Sequence, residues 1–474
     1  MDFSELRESV LDKTPGLKHA LNRYGDMSLL TYFNTFSHIS FPVSETKKDE
    51  ITSTVYDYIA RTIDPIVANR VASEFHTSYY VSTADHHHPQ THPYSLSSSL
   101  VQSHVATKSG RNTVCIFSCS GISMNNNSSP RGPLFHTDTL DEQRLPLFSL
   151  GHKHHPVYGL PAYTSQQLKK TQQLLAENKH VTDTQKKILV PLLQHIYGTS
   201  TAQSLHYYSE QLTHTNYHLW KLLPEQSHID LAIIPQEDIV NTLLIKYHLG
   251  MNSTIDKLLH EQACLERFEL CFDGIDGAFS LNERTGTFLF WAIVDGERKA
   301  LWHNNGTLQT EDASYTITLT PESITHALQN KILMPSMALT YIVISFYYGV
   351  TCGGGFLQGS YLSKMKYAYL KWLDAINGAT EERNQVEMLE TDLVMADFSF
   401  LTLTHNDTIV PATTFDLLLY PQTNPNHSLS SYIDSWTLKE AVDQLMPMFY
   451  KILFHTDSSI SSPKTPHTPF LYVK

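Results

Sequence analysis

Asp85-His86-His87-His88, with His92 four residues on, places one carboxylate and four imidazoles in a short stretch of chain. Neutral imidazole nitrogen and carboxylate oxygen are the donors that Zn, Mn or Fe prefers. The same groups serve as general acid and base near neutral pH. Successive side chains of an extended segment point to opposite sides, so only alternate members share a centre there, whereas a turn lets them converge. The expected metal ligands are therefore Asp85, His86, His88 and His92. Asp85, His86 and His88 are also the expected catalytic groups, joined by His136. A polar loop whose histidines cap backbone groups or face water is the competing account. Position favours chemistry: ten of the 26 histidines fall between His76 and His155, where even spreading would put about four.

A second group is Asn125-Asn126-Asn127-Ser128-Ser129-Pro130-Arg131-Gly132, followed by His136. A guanidinium among amides and hydroxyls makes a cradle for phosphate or carboxylate, with Arg131, Asn126 and Ser129 as the expected anchors. The same residue types also build ordinary turns. Gly151-His152-Lys153-His154-His155 offers further imidazoles, read mainly as an exposed loop. Thr351-Cys352-Gly353-Gly354-Gly355-Phe356-Leu357-Gln358 precedes a predicted helix, so Gly354 and Gln358 are expected near substrate. Tight packing or a hinge is the alternative there, and Cys352 reads as a buried, inert thiol. His214 and His218 read as a solvated helix face. Asp273-Gly274-Ile275-Asp276-Gly277 reads as a turn, since it lacks the later Glu of a calcium loop.

Asp85-His86-His87 is also the tripeptide of the DHH phosphoesterases. No Asp-x-Asp precedes it here, and Phe356 stands where that family's glycine motif ends in histidine. Three shared residues do not make the chain a member.

These loops need elements to hold them. Residues 1–75 read as helix, broken near Pro65, and residues 75–82 and 112–119 as strands feeding the two polar loops. If those strands are parallel neighbours, their loops face each other. Residues 165–223 read as a helical insertion or lid. Residues 229–234 form a strand running into a helix. Residues 268–272, 288–294, 300–303 and 315–319 read as further strands, with turns at Asp295-Gly296 and Asn305-Gly306. Thr320-Pro321 starts a helix, and residues 362–376 form an amphipathic one. The expected fold is α/β or α+β, a mixed sheet flanked by helices. It comprises an N-terminal helical segment 1–75, a core 76–457 with the insertion, and a loosely ordered tail 458–474.

Composition narrows the function classes. The chain has 474 residues, 41% of them hydrophobic, and a net charge of −13 without a long basic run, which argues against nucleic acid as a partner. Five cysteines without a C-x-x-C pair indicate a reduced, cytoplasmic setting rather than a disulfide framework. The first residues form no signal peptide. Residues 332–350 are apolar enough to raise the question of a membrane span, but Pro335, Ser336, Thr340 and Ser345 favour a buried core helix, so no membrane partner is expected. The leading expectation is a soluble enzyme acting on a small anionic molecule by metal-assisted hydrolysis. A metal-free transferase or lyase with a histidine base, and a non-catalytic interaction protein, are the alternatives.

Overall fold

The computed structural model describes residues 2–36, 43–89, 92–126, 131–223, 225–406, 408–420, 428–455 and 471–472. Most of the expected tail, 458–474, lies outside them, but Leu471–Tyr472 pairs in parallel with Thr402–His405. Two helices lead into the core. The first, α1 (Glu45–Thr62), is capped by Ser44. The second, α2 (Pro65–Ser78), starts where Asp64 accepts hydrogen bonds from the backbone of Ile66 and Val67, with Pro65 in the first turn.

That cap corrects one expectation. Residues 75–82 look like a strand because Phe, Thr, Tyr and Val favour pleated backbone, yet α2 runs through Ser78 before Tyr79 turns left-handed at φ 52°. Only β1 (Tyr80–Ser82) remains of the strand. Residues 268–272 are likewise the end of a helix, Gln262–Phe272, whose Phe268 and Phe272 are buried. In both places tertiary burial of a helical face overrides local β-propensity.

A parallel sheet forms the centre. After β1 come α3 (Pro93–Lys108), β2 (Thr113–Ser118), α4 (Tyr208–Lys221), β3 (Asp230–Pro235) and α5 (Gln236–Leu243), and much later β4 (Thr351–Gly353) and α6 (Gln358–Ala375). The strand order is β4-β1-β2-β3 and every pairing is parallel, with Val81 opposite Cys352, Ser82 opposite Ile116 and Cys115 opposite Ala232. Being covered on both faces, β2 and β3 read as continuous apolar runs rather than alternating ones. Leu96, Leu100 and Val101 of α3 pack with Val114, Ile116, Leu231 and Ile233 on one face. Leu362, Met365 and Tyr369 of α6 pack with Val81, Phe117, Ala232 and Ile234 on the other, beside Val71 and Phe75 of α2. Each such fully buried Leu contributes roughly 2 kcal/mol by removal from water.

A second, antiparallel sheet of Phe290–Val294, Glu297–Asn304, Thr307–Thr310, Thr316–Thr318 and Leu333–Pro335 packs alongside. Thr320 caps the helix Pro321–Gln329 as its sequence indicates. The fold is thus mixed α/β, several small sheets flanked by helices. Residues 165–223 are helical, but α4 belongs to the core: Thr213 Oγ1 donates to the Ile233 carbonyl at 2.9 Å, and Asn216 Nδ2 to the His88 carbonyl at 2.9 Å. His214 on α4 is correspondingly buried rather than solvated, its Nδ1 donating to the Thr62 carbonyl at 3.0 Å. The apolar run 332–350 supplies a strand and the buried helical turns Met337–Tyr347. Among the described residues no helix is long and apolar enough to cross a membrane.

Candidate functional site

In a parallel sheet the connections leaving two adjacent strands in opposite directions open a crevice at the strands' carboxyl ends. Here that switch lies between β4 and β1, since β1 exits to α3 on one face and β4 to α6 on the other. Thr83 ties the two exits together, its backbone N–H and its hydroxyl both donating to the Gly353 carbonyl, at 2.9 and 3.3 Å. With its proton used there, Thr83 Oγ1 accepts from Gln358 Nε2 at 2.7 Å. The Gln358 amide nitrogen faces Thr83, whose hydroxyl oxygen also accepts from Tyr341 Oη at 3.3 Å. The Gln358 Oε1 is buried and has no hydrogen-bond partner.

Asp85 sits two residues beyond Thr83, 5% exposed, and its Oδ2 is likewise buried and unpartnered. A second carboxylate, Asp397, comes close enough for the two charges to oppose each other. Asp397 is half-buried, left-handed at φ 62°, and accepts from the Phe356 backbone at 2.9 Å. Neither carboxylate has a cationic partner among the described residues. Burial first, and the Asp397 charge second, push the Asp85 carboxyl up to about 7. Burial also raises Asp397 above the ordinary range. The consecutive glycines make this arrangement possible. A Cβ at Gly354 would coincide with the Gln358 side chain, and one at Gly355 with Asp397 Oδ2.

The histidines separate by role. His88 Nδ1 lies 2.6 Å from the Pro89 carbonyl, which can only accept, so that nitrogen carries a proton. Its Nε2 lies 3.2 Å from Ser95 Oγ, and the Ser95 hydroxyl in turn contacts Asp85. When Asp85 is protonated it donates to Ser95 Oγ and Ser95 donates to His88 Nε2; when Asp85 is ionised the Ser95 hydroxyl donates to the carboxylate instead. Burial holds His88 well below its usual range, so its ring stays neutral in both states. His87 is structural: Nε2 donates to the Ser209 carbonyl at 2.7 Å and Nδ1 meets Ser118 Oγ at 2.7 Å, locking the loop to α4 and β2. His86 pairs with Cys119 as a bridge extending β1 alongside β2. His92 precedes α3 and meets His88 and Tyr94 edge-on, with ring centroids 5.8 and 4.8 Å away. Burial lowers His86 and His92 to about 4, so both are neutral. Among the described residues no three His, Cys, Asp or Glu side chains converge to hold a metal ion.

His136 lies elsewhere, on the strand Leu134–His136, in a buried pair with Asp416 (Nδ1 to Oδ2, 2.7 Å). The loop after β2 does neighbour the Asp85 loop: Cys119 N donates to the Asp85 carbonyl and His87 N to the Cys119 carbonyl, at 2.7 and 2.8 Å. Its expected anion anchors are not gathered at the crevice. Arg131 Nη1 donates to the Phe148 carbonyl at 2.9 Å, Asn126 is exposed, and Ser129 lies outside the described residues.

A cleft of about 580 Å³ opens between the ends of β2 and β3 and the antiparallel sheet. Cys119, Gly121, Glu237, Trp291, Arg298 and Met334 are among its walls. Glu237 clamps the β2 exit by accepting from Ser120 N, Ser120 Oγ and Gly121 N at 2.9, 2.7 and 3.0 Å. Arg298 lies over the Trp291 ring at 4.2 Å and donates to the Gly121 carbonyl at 3.0 Å. Sequence reasoning missed Asp397, Glu237 and Arg298. A signal for Asp397 exists, as it is the one charge in the apolar run 393–400. Arg298 stands beside a hairpin turn and carries no such mark. No protein-family model matches the chain, and no curated protein matches it either.

Proposed function

We propose that the chain is an enzyme that moves a proton on a small molecule bound at the carboxyl edge of its parallel sheet, with Asp85 as acid and base. The observation that carries this is the unpartnered Oδ2 of a buried Asp85 at the switch between β4 and β1. A carboxyl raised to about 7 is half-ionised at physiological pH, where it both gives and takes protons effectively. Ser95 and His88 act through Asp85 as positioning residues, the Ser95 hydroxyl turning between His88 Nε2 and the Asp85 carboxyl as its proton comes and goes. The neighbouring cleft has the size of a small-molecule site, and Arg298 offers donors to an anionic group there, in place of Arg131.

This favours a metal-free transferase or lyase over the metal-assisted hydrolysis that the sequence suggests. A Zn, Mn or Fe centre of Asp85, His86, His88 and His92 needs His88 to leave the hydrogen bonds to Pro89 and Ser95 that orient it.

The test is turnover of a small-molecule cell extract followed by mass spectrometry, comparing the wild type with Asp85→Asn under conditions where both are fully folded. Compounds consumed by the wild type and spared by the variant support the reading. Equal consumption by both, or by neither, overturns it.

A further inference from the structure

The cleft of about 580 Å³ beside the antiparallel sheet is walled in part by a polar group that the fold does not use. Gln236 follows β3 at the carboxyl end of the parallel sheet and opens α5, where it lines the cleft at 2% residue exposure. Its Oε1 is buried and has no hydrogen-bond partner. Exchanging the amide oxygen and nitrogen changes nothing, because no hydrogen bond from a described residue reaches either end. Buried amides are ordinarily paired, so an unpaired one in a cleft wall has the character of a recognition group. Arg298 lines the same cleft, over the Trp291 ring at 4.2 Å, with one N–H donated to the Gly121 carbonyl. Among the described residues no carboxylate pairs with it. The acids of the cleft have other partners or face water: Glu237 accepts from Ser120 and Gly121, Asp276 from Lys364 at 2.8 Å, and Glu283 is exposed. Trp291, Phe279 and Met334 supply apolar wall.

We infer that this cleft binds an aromatic carboxylate that also carries an amide, or an equivalent edge of donor and acceptor. Arg298 takes the carboxylate through its remaining N–H groups, Gln236 pairs with the amide, and the ring lies among Trp291, Phe279 and Met334. A guanidinium already resting on an indole loses little side-chain freedom when the anion arrives. A site built to hydrogen-bond its ligand rejects the analogue lacking that group, whose loss leaves the site's own polar group unpaired. The inference rests on reading the cleft as the ligand site, but not on Asp85 acting as a catalyst.

The experiment uses the full chain and probes of one size, titrated by saturation-transfer NMR at pH 8. They are N-benzoylglycine, 4-phenylbutanoate without the amide, N-benzoylglycinamide without the charge, and N-(2-aminoethyl)benzamide with a cation in place of the carboxylate. N-benzoylglycine is expected to bind about tenfold or more tightly than the second and third, and the cation not to bind. Arg298→Met keeps an apolar stem over Trp291 and should abolish the preference for the carboxylate. Gln236→Met should abolish the preference for the amide while the urea midpoint stays unchanged or rises, since the amide it removes has no partner in the chain. A lowered midpoint, which marks an amide that serves the fold, overturns the inference. So does equal binding of all the probes, no binding of N-benzoylglycine, or preferences unchanged in both variants. The two readings fail separately. Turnover lost in Asp85→Asn with preferences unchanged in Arg298→Met and Gln236→Met sinks only the ligand assignment. Preferences that depend on both residues, with turnover unchanged in Asp85→Asn, sink only the catalytic role.

Discussion

Replacing Asp85 by Asn should stabilise the protein at alkaline pH, against the usual rule that losing a buried carboxylate weakens a fold. The folded chain holds the Asp85 proton up to about 7, whereas in the unfolded chain the group ionises near 3.8. Between those values the folded state binds more protons than the unfolded one, so its stability falls as pH rises. The stabilisation from the neutral carboxyl is complete below about pH 4 and is lost by pH 7. The slope is about 1.4 kcal/mol per pH unit for one proton, so the full window amounts to roughly 4 kcal/mol. Asn is the shape of the protonated carboxyl, and its amide donates to Ser95 Oγ as the acid does. The assay is urea unfolding of both proteins from pH 4 to 8.5. The variant and the wild type should match near pH 4, diverge in favour of the variant up to pH 7, and run parallel above it. Parallel curves throughout, or a variant weaker at pH 8, would refute the placement of Asp85 in a dry, cation-free crevice.

Other residues give sharper local outcomes. His87→Leu leaves the Ser209 carbonyl and Ser118 hydroxyl without their imidazole and should cost about 3 kcal/mol in urea unfolding, without the pH signature of Asp85→Asn. Asp416→Ala strips the buried His136 ring, the His136 N–H and the Thr413 N–H of one acceptor. It should cost about 3–5 kcal/mol by the same measurement. Cys352, free, 1% exposed and pushed up to about 12 by burial, should resist a thiol-reactive dye at pH 8 in the native protein and react rapidly in urea. Fast reaction at Cys352 in the native state would contradict that burial.

Much of the frame is legible in the sequence, and for local reasons. Residues 114–117 and 231–234 are apolar at successive positions because both sheet faces are covered, and the chain leaving β1 runs beside the chain leaving β2, as adjacent parallel strands require. Asp64-Pro65 carries a helix start that outranks the β-forming residues 75–82, and weighing the cap against propensity would have shortened that strand. The crevice itself was half legible. Asp85, His88, Gly354 and Gln358 stood out by residue type, but their partners did not. Asp397 reaches Asp85 only because Met395 and Ala396 bond the Gly354 carbonyl, a long-range pairing with no local mark. Adjacent histidines suggest a metal only while their partners are unknown: His87 is taken by Ser209 and Ser118, and His88 by Pro89 and Ser95. Arg131 had the right chemistry in a turn whose own backbone uses it.

The central claim is that Asp85 is a buried, titrating carboxyl at the carboxyl edge of the parallel sheet. Its most direct test is ¹³C NMR of protein labelled at aspartate carboxyl carbons, titrated from pH 4 to 9. The account predicts one carboxyl with a midpoint near 7 that is absent from Asp85→Asn. A spectrum in which every aspartate titrates below about 5 would contradict it.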